Sequence, residues 1–244
     1  MNILITGSKG FIGSHLVKYL SDTHNIQTLD IKDGQDLITC PLDYDVDCVI
    51  HLAAKSGVRD SLNEPAKYWL NNVHATQRIF TSFYGKRIIY ASSSTAYEPW
   101  RNPYAFSKSA IEMVVPRKSN AIGLRFTTVY GDNARDNMFI PKLLNNQLDY
   151  VNTDHIRDFI HVDDICSAIS LLIEDDLTGV IDVGTGKGNN LLDLTNMFGL
   201  DKIEKRIGLD TERKDNTADI SILKDMGWEP KIDVVEYLKS KKGN

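Results

Sequence analysis

Cysteine is scarce in this chain. Only Cys40, Cys48 and Cys166 occur among 244 residues, an odd number with no C-x-x-C spacing. Such usage favours buried, reduced thiols over a metal or redox site. Long apolar runs are missing too, so no segment is expected to span a bilayer. The opening Met1-Asn-Ile-Leu-Ile-Thr-Gly7 carries no basic leader and reads as the first strand of a domain rather than a signal peptide. A cytoplasmic protein without a membrane partner is the expectation. No block of basic residues appears; the formal net charge is -5 with both signs interspersed, which speaks against nucleic acid as a partner. His155 and His161 lack the spacing of a metal site, and no metal is expected. Neither an internal repeat nor a low-complexity linker divides the chain.

What is present is a β/α alternation. Ile3–Thr6, Ile26–Leu29, Cys48–Leu52, Arg87–Ala91 and Ile122–Phe126 read as strands. Between them, Phe11–Ser21, Ala66–Tyr84 and Tyr104–Val115 have helical spacing of apolar residues. The alternation predicts an α/β fold: a doubly wound parallel sheet with helices on both faces. Past Val129 the pattern loosens. Short strands are expected at Asp149–Val151, Asp158–Ile160 and Val180–Val183, with a helix over Asp163–Ile173 and a turn at Gly184-Thr-Gly-Lys-Gly188. A dinucleotide-binding unit over 1–128, completed by 155–183, is therefore expected, with 129–154 and 184–244 forming a small substrate-binding region.

Gly7-Ser-Lys-Gly10-Phe11-Ile12-Gly13 follows the first strand and opens the first helix. In that context Gly7 permits a tight turn, Gly10 lets backbone approach a pyrophosphate, and Gly13 allows close helix–strand packing. The helix N-terminus offers free N–H groups and a positive dipole end to phosphates. Strand two ends at Asp30, whose carboxylate can accept from ribose hydroxyls and would repel a 2′-phosphate. NAD is thus the expected cofactor, with Lys9 and Lys32 arguing mildly for NADP.

Tyr104 and Lys108 stand four apart in Pro103-Tyr-Ala-Phe-Ser-Lys108, on one helix face. A lysine ammonium beside a phenol favours the phenolate and would draw its pKa from about 10 toward neutrality. A tyrosine so tuned can take a proton from an alcohol while hydride leaves the same carbon. Upstream, Tyr90-Ala-Ser-Ser-Ser-Thr-Ala-Tyr97 closes a strand with consecutive hydroxyls, where open α/β sheets bind ligands. Glu112 shares the Tyr104 face and reads as a solvated or ion-paired residue rather than a catalytic one.

With these features in this order, the sequence resembles the NAD-dependent epimerase/dehydratase family, the extended short-chain dehydrogenases, through nearly its whole length. Thr6–Gly13 matches the Rossmann fingerprint, placing Gly7, Gly10, Phe11, Ile12 and Gly13 on the cofactor. Asp36-Leu37 resembles the pair lying against the adenine. His51-Leu52-Ala53-Ala54 matches the strand end that passes the pyrophosphate, and Asn72-Val73 a helix asparagine near the site; Asn72, Tyr104 and Lys108 are thereby also expected at the cofactor. Ser93 aligns with the catalytic hydroxyl, and Tyr104 and Lys108 with the Tyr/Lys pair. Leu124–Gly131, including Thr128, resembles the segment leading to the substrate; Arg157–Asp164 resembles the Arg-Asp-Phe motif; Gly227–Pro230 resembles a Gly-Trp-x-Pro tail.

The resemblance implies chemistry on the sugar of a nucleotide-sugar. Dehydratases usually place Asp-Glu after the catalytic hydroxyl, whereas Ser94 and Thr95 stand here. Hydroxyls supply neither the acid nor the base that elimination needs. Epimerisation through a transient 4-keto sugar is therefore favoured over a dehydratase, a reductase or a non-catalytic NAD-binding regulator. Ser93, Thr95, Thr128 and Arg157 are the expected substrate contacts. Arg135 and Met138 resemble epimerases of UDP-glucuronate type. In relatives the Tyr/Lys helix and the long helix before it often build a two-fold dimer, so a homodimer is a partner this resemblance allows. The chain is short for the family: only six residues separate Tyr97 from Tyr104.

Overall fold

The computed structural model describes residues 1–116 and 118–242. Strands β1 (Asn2–Thr6), β2 (Asn25–Leu29), β3 (Cys48–His51), β4 (Arg87–Ser93) and β5 (Ala121–Phe126) follow the apolar runs, with α1 (Phe11–Leu20) between the first two. Short helices α2 (Val58–Asn63) and α3 (Pro65–Tyr68) precede a π-helical turn, Trp69–His74, and α4 (Ala75–Ser82). Helix α5 (Pro103–Met113) lies between β4 and β5. The rest comprises β6 (Thr128–Tyr130), α6 (Phe139–Leu144), β7 (Tyr150–Asn152), β8 (Ile156–His161), α7 (Val162–Ile173), β9 (Gly179–Val183), β10 (Gly188–Asn190), α8 (Leu191–Met197), β11 (Glu204–Arg206), α9 (Ser221–Asp225) and α10 (Val234–Lys242).

The large sheet runs β2-β1-β3-β4-β5-β9, every pair parallel. Strand side chains alternate between faces. Ile3 and Ile5 join Ile50, Leu124 and α7 in one core, while Leu4 joins Val49, Ile88, α4 and α5 in the other. The inner strands β1, β3, β4 and β5 bury both faces, which is why their runs are largely apolar. The edge strand β2 is partly exposed. The chain leaves β1 for β2 and then crosses back to β3. A crevice opens at that reversal, beyond the carboxyl ends of the strands.

A second sheet, β10-β8-β6, and the pair β11-β7 cover their own core of Tyr130, Leu143, Phe159, Leu194 and Leu238. The 155–183 stretch therefore divides: β9 joins the large sheet and α7 packs on it, but β8 pairs within the small sheet. Instead of one regular helix over 66–84, the chain forms α3, the π-helical turn and α4. Apolar periodicity does not register the extra residue of a π turn. Cys48 and Cys166 are buried, with thiols pushed up to about 12 by desolvation. Among the described residues no helix is long and apolar enough to cross a membrane.

Candidate active site

The glycine turn is dictated by close approach. Gly7 is left-handed, φ +70, and a Cβ there would stand 2.7 Å from Ala53 N; at Gly13 it would stand 2.1 Å from Gly7 O. Only glycine fits either place. Gly10 N donates to Gly7 O (3.0 Å), closing the turn. No side chain caps α1 at Gly10, and its first turn, Phe11 and Ile12 included, contains no acid. Its N–H groups and dipole thus remain for an anion. This cradle, which any Cβ would fill, fits a dinucleotide pyrophosphate.

Asp30 is buried at the end of β2. Its carboxylate accepts from Lys9 N (2.8 Å) and Lys32 N (2.9 Å), so it also staples the glycine turn to β2. Carboxylate oxygens retain further lone-pair directions for a ribose. Lys9 is ion-paired with Asp33, and Lys32 Nζ donates to Lys9 O (2.9 Å). Asp36 Oδ1 caps Ile38 N (2.9 Å), and Leu37 is buried beside it.

Leu52, Ala53 and Ala54 run alongside the turn; Leu52 N donates to Thr6 O (3.1 Å) and Ala53 N to Thr6 Oγ1 (3.4 Å). His51 lies beneath, its Nδ1 2.7 Å from Thr6 Oγ1 and its Nε2 3.0 Å from Thr76 Oγ1. Thr76 gives its own proton to Asn72 O (2.5 Å), so Nε2 carries hydrogen and Nδ1 accepts from Thr6. Burial, with the Lys108 charge, pushes His51 down to about 3. Asn72 sits in the π turn. Its amide accepts from Lys55 N (2.7 Å) and donates to Lys55 O (3.0 Å) and Ser107 Oγ (2.9 Å). Both N–H bonds are committed to protein, so Asn72 braces α5 against the Lys55 backbone.

Strand β4 extends to Ser93, two residues beyond the expected end. Ser93 Oγ accepts from Thr95 N (3.2 Å) and Thr95 Oγ1 (3.0 Å), leaving its own proton for another acceptor. Helix α5 starts at Pro103, with Asn102 capping Ala105 N (2.8 Å), and brings Tyr104 against Ser93. Lys108 is buried beneath, its Nζ donating to Ala91 O (2.8 Å) and lying 6.0 Å from the Tyr104 ring centroid.

The electrostatics differ from the sequence expectation. Burial pushes the Tyr104 phenol up; its contact with Ser93 and the charge of Arg135 oppose this. The Lys108 ammonium is turned to a β4 carbonyl, and burial pushes the lysine itself down to about 8. Glu112 is paired bidentately with Arg125, at 2.9 and 2.7 Å.

Ser93, Thr95, Tyr104 and Lys108 thus converge at the end of β4, beside the glycine-lined crevice. Thr128 and Arg157 lie in the small sheet, engaged by an irregular strap over 208–216. Asn216 Nδ2 donates to Thr128 Oγ1 (2.9 Å), and Arg157 Nη1 to Lys214 O (2.9 Å). The same strap crosses to the site: Arg101 Nη1 donates to Asp210 O (2.6 Å), Asn102 Nδ2 to Thr211 O (2.9 Å) and Arg213 Nη1 to Ser94 O (2.6 Å). Arg135, which the resemblance singled out, bears its charge on Tyr104; Arg213 belongs to no motif, and the charged, aperiodic run Glu212-Arg-Lys-Asp-Asn216 was the only signal for it. Among the described residues no group of three or more His, Cys, Asp or Glu could hold a metal ion.

Comparison with known proteins gives a consistent set of relatives. Residues 3–184 match the NAD dependent epimerase/dehydratase family. The UDP-glucose 4-epimerase of Halalkalibacterium halodurans is 29% identical over 255 aligned positions, covering 77% of this chain and 76% of that protein. More positions than matched residues of this chain means that the relative carries stretches without counterpart here. The UDP-N-acetylglucosamine 4-epimerase of Methanobrevibacter ruminantium M1, solved with UDP-N-acetylmuramic acid, superposes with TM-score 0.86 at 26% identity, covering 99% of this chain and 96% of that one. MoeE5, solved with UDP-glucuronic acid and NAD, gives TM-score 0.86 at 26% identity, covering 100% and 98%.

Proposed function

The chain belongs to the NAD dependent epimerase/dehydratase family, and we propose that it is an NAD-dependent 4-epimerase of a UDP-sugar. The observation that carries this reading is the meeting of Ser93, Thr95 and Tyr104 at the end of β4, with hydroxyls where a dehydratase needs acids. Acids of this region are otherwise engaged: Glu98 pairs with Arg101 and Glu112 with Arg125. NAD, when bound, accepts a hydride and returns it.

The turn Gly7–Gly13, the start of α1 and Leu52–Ala54 would hold the pyrophosphate, and Asp30 the adenosine ribose. Tyr104 would take the proton of the sugar 4-hydroxyl while the free Ser93 proton hydrogen-bonds that oxygen, leaving a transient 4-keto sugar. Tyr104 then returns the proton to the oxygen of the inverted centre. Residues 129–154 and 184–244 would bind the nucleotide and sugar, with Thr128 and Arg157 acting in concert with the strap. Arg135 makes no ion pair or side-chain hydrogen bond with the described residues, and its charge acts on Tyr104, which supports a sugar bearing a carboxylate. We place the enzyme in the cytoplasm, where three free thiols stay reduced, as a homodimer built on α5 and the helices before it.

Product analysis tests the reaction. The NAD-loaded protein is incubated with UDP-glucuronate, UDP-glucose and UDP-N-acetylglucosamine. A 4-epimer of unchanged mass without net NADH is expected. Loss of water would show a dehydratase, and stoichiometric NADH a dehydrogenase.

A further inference from the structure

We propose that Asp132 and Tyr237 are positioning residues that hold the 131–138 loop, and Arg135 with it, at the Tyr104 end of the site. The inference rests on the reading above that this end receives the sugar.

The loop leaves β6 through Gly131, φ +145, where a Cβ would stand 2.7 Å from Val162 Cγ1 and 3.1 Å from His161 Nε2. Only glycine can exit so close to the start of α7. The next residue is gripped from two sides. His15 Nε2, on α1, donates to the Asp132 carbonyl (2.9 Å). On α10, the Tyr237 hydroxyl (2.9 Å) and the Lys241 ammonium (2.7 Å) donate to Asp132 Oδ1. The Tyr237 ring is itself wedged between Tyr130 and His161, at centroid distances of 5.1 and 5.4 Å. Asp132 is thus where the cofactor-side helix, the C-terminal helix and the small sheet meet.

From that anchor the loop is tight. Asn133 is left-handed, φ 63. Ala134 N donates to Gly131 O (3.3 Å), and Met138 N to Arg135 O (3.0 Å). Fixing Asp132 therefore fixes the backbone of Arg135. That arginine is exposed, and its charge bears on both Tyr104 and Tyr68. A cation on an untethered loop would have to be ordered at each binding event, and misplacing a contact group by an ångström costs rate steeply.

Tyr237→Phe deletes one grip and keeps the wedged ring. Its kcat/KM for an accepted UDP-sugar is measured in the native and the Arg135→Ala backgrounds, alongside amide exchange over 131–138. We expect faster exchange confined to the loop, about a tenfold loss of kcat/KM, unchanged NAD affinity, and no further loss in the Arg135→Ala background. Asp132→Asn should repeat the pattern. Unchanged exchange, unchanged kcat/KM, or an equal loss in both backgrounds overturns the proposal. If no UDP-sugar turns over in any variant, the epimerase reading fails, while exchange still decides whether the grip holds the loop.

Discussion

Tyr104 carries the proton in this reading, and a single oxygen separates it from phenylalanine. Tyr104→Phe should lower turnover by roughly 10²–10⁴-fold, the usual worth of a positioned acid/base. NAD affinity should stay nearly intact, because the ring and the Lys108 bond to Ala91 O are kept; single-turnover rates and NAD titration check both. Undiminished turnover would remove tyrosine from the mechanism. Asp30 governs the second expectation at this scale. A 2′-phosphate would meet a buried carboxylate already held by Lys9 N and Lys32 N, and Lys9 is neutralised by Asp33. NAD should therefore bind more tightly than NADP in calorimetric titration. Equal affinities would shift the weight to Lys32. The Tyr/Lys spacing was readable from sequence, but the direction of the phenol shift was not, because it depends on burial and on an arginine 31 residues away.

Among the elements, the junction of β3 with the π-helical turn has a pH signature. His51 is locked neutral between Thr6 and Thr76, with its pKa near 3 against about 6.5 when exposed. Protonating Nδ1 would set two donors face to face. A base depressed in the fold contributes stability that is fully present above the unfolded pKa and fades as pH falls from about 6.5 toward 3. The urea midpoint of the protein should fall between pH 7 and 4.5, and more steeply than that of His51→Gln, which has no ring to titrate. Parallel slopes would take His51 out of the account. The place of this histidine at a strand end was legible in the sequence; its link through Thr76 to Asn72 was not, since a regular helix over 66–84 would not produce the π turn in which Asn72 sits.

At the scale of the whole molecule, the exposed face of α3, the π turn and α5 is apolar. Trp69 and Phe106 stack at 5.9 Å while remaining 49% and 52% exposed, and Trp100, 76% exposed, borders the same groove of about 630 Å³. A soluble protein rarely leaves such a patch open to water. If a second copy covers it, Trp69→Glu should convert a dimer to a monomer in sedimentation velocity, at little cost to the fold because the side chain is half outside the core. A monomeric native protein would end the homodimer proposal.

By itself the sequence determined the parallel sheet, the glycine turn with Asp30, and the Ser93/Tyr104/Lys108 set. Each is a local pattern: two-faced burial makes continuous apolar strands, a Cβ-free cradle needs glycine at fixed spacing, and a helix puts i and i+4 on one face. Tertiary structure alone decided that Arg213 reaches Ser94, that Arg157 is held by the strap, that β8 joins the small sheet, and that Asp132 is gripped by α1 and α10. The side-chain contacts join segments 57 to 119 residues apart through single polar groups, and β8 reaches β6 by a strand ladder. No periodicity records them, because what selects the partner is where the packed core leaves each chain end, not the spacing of residues along it.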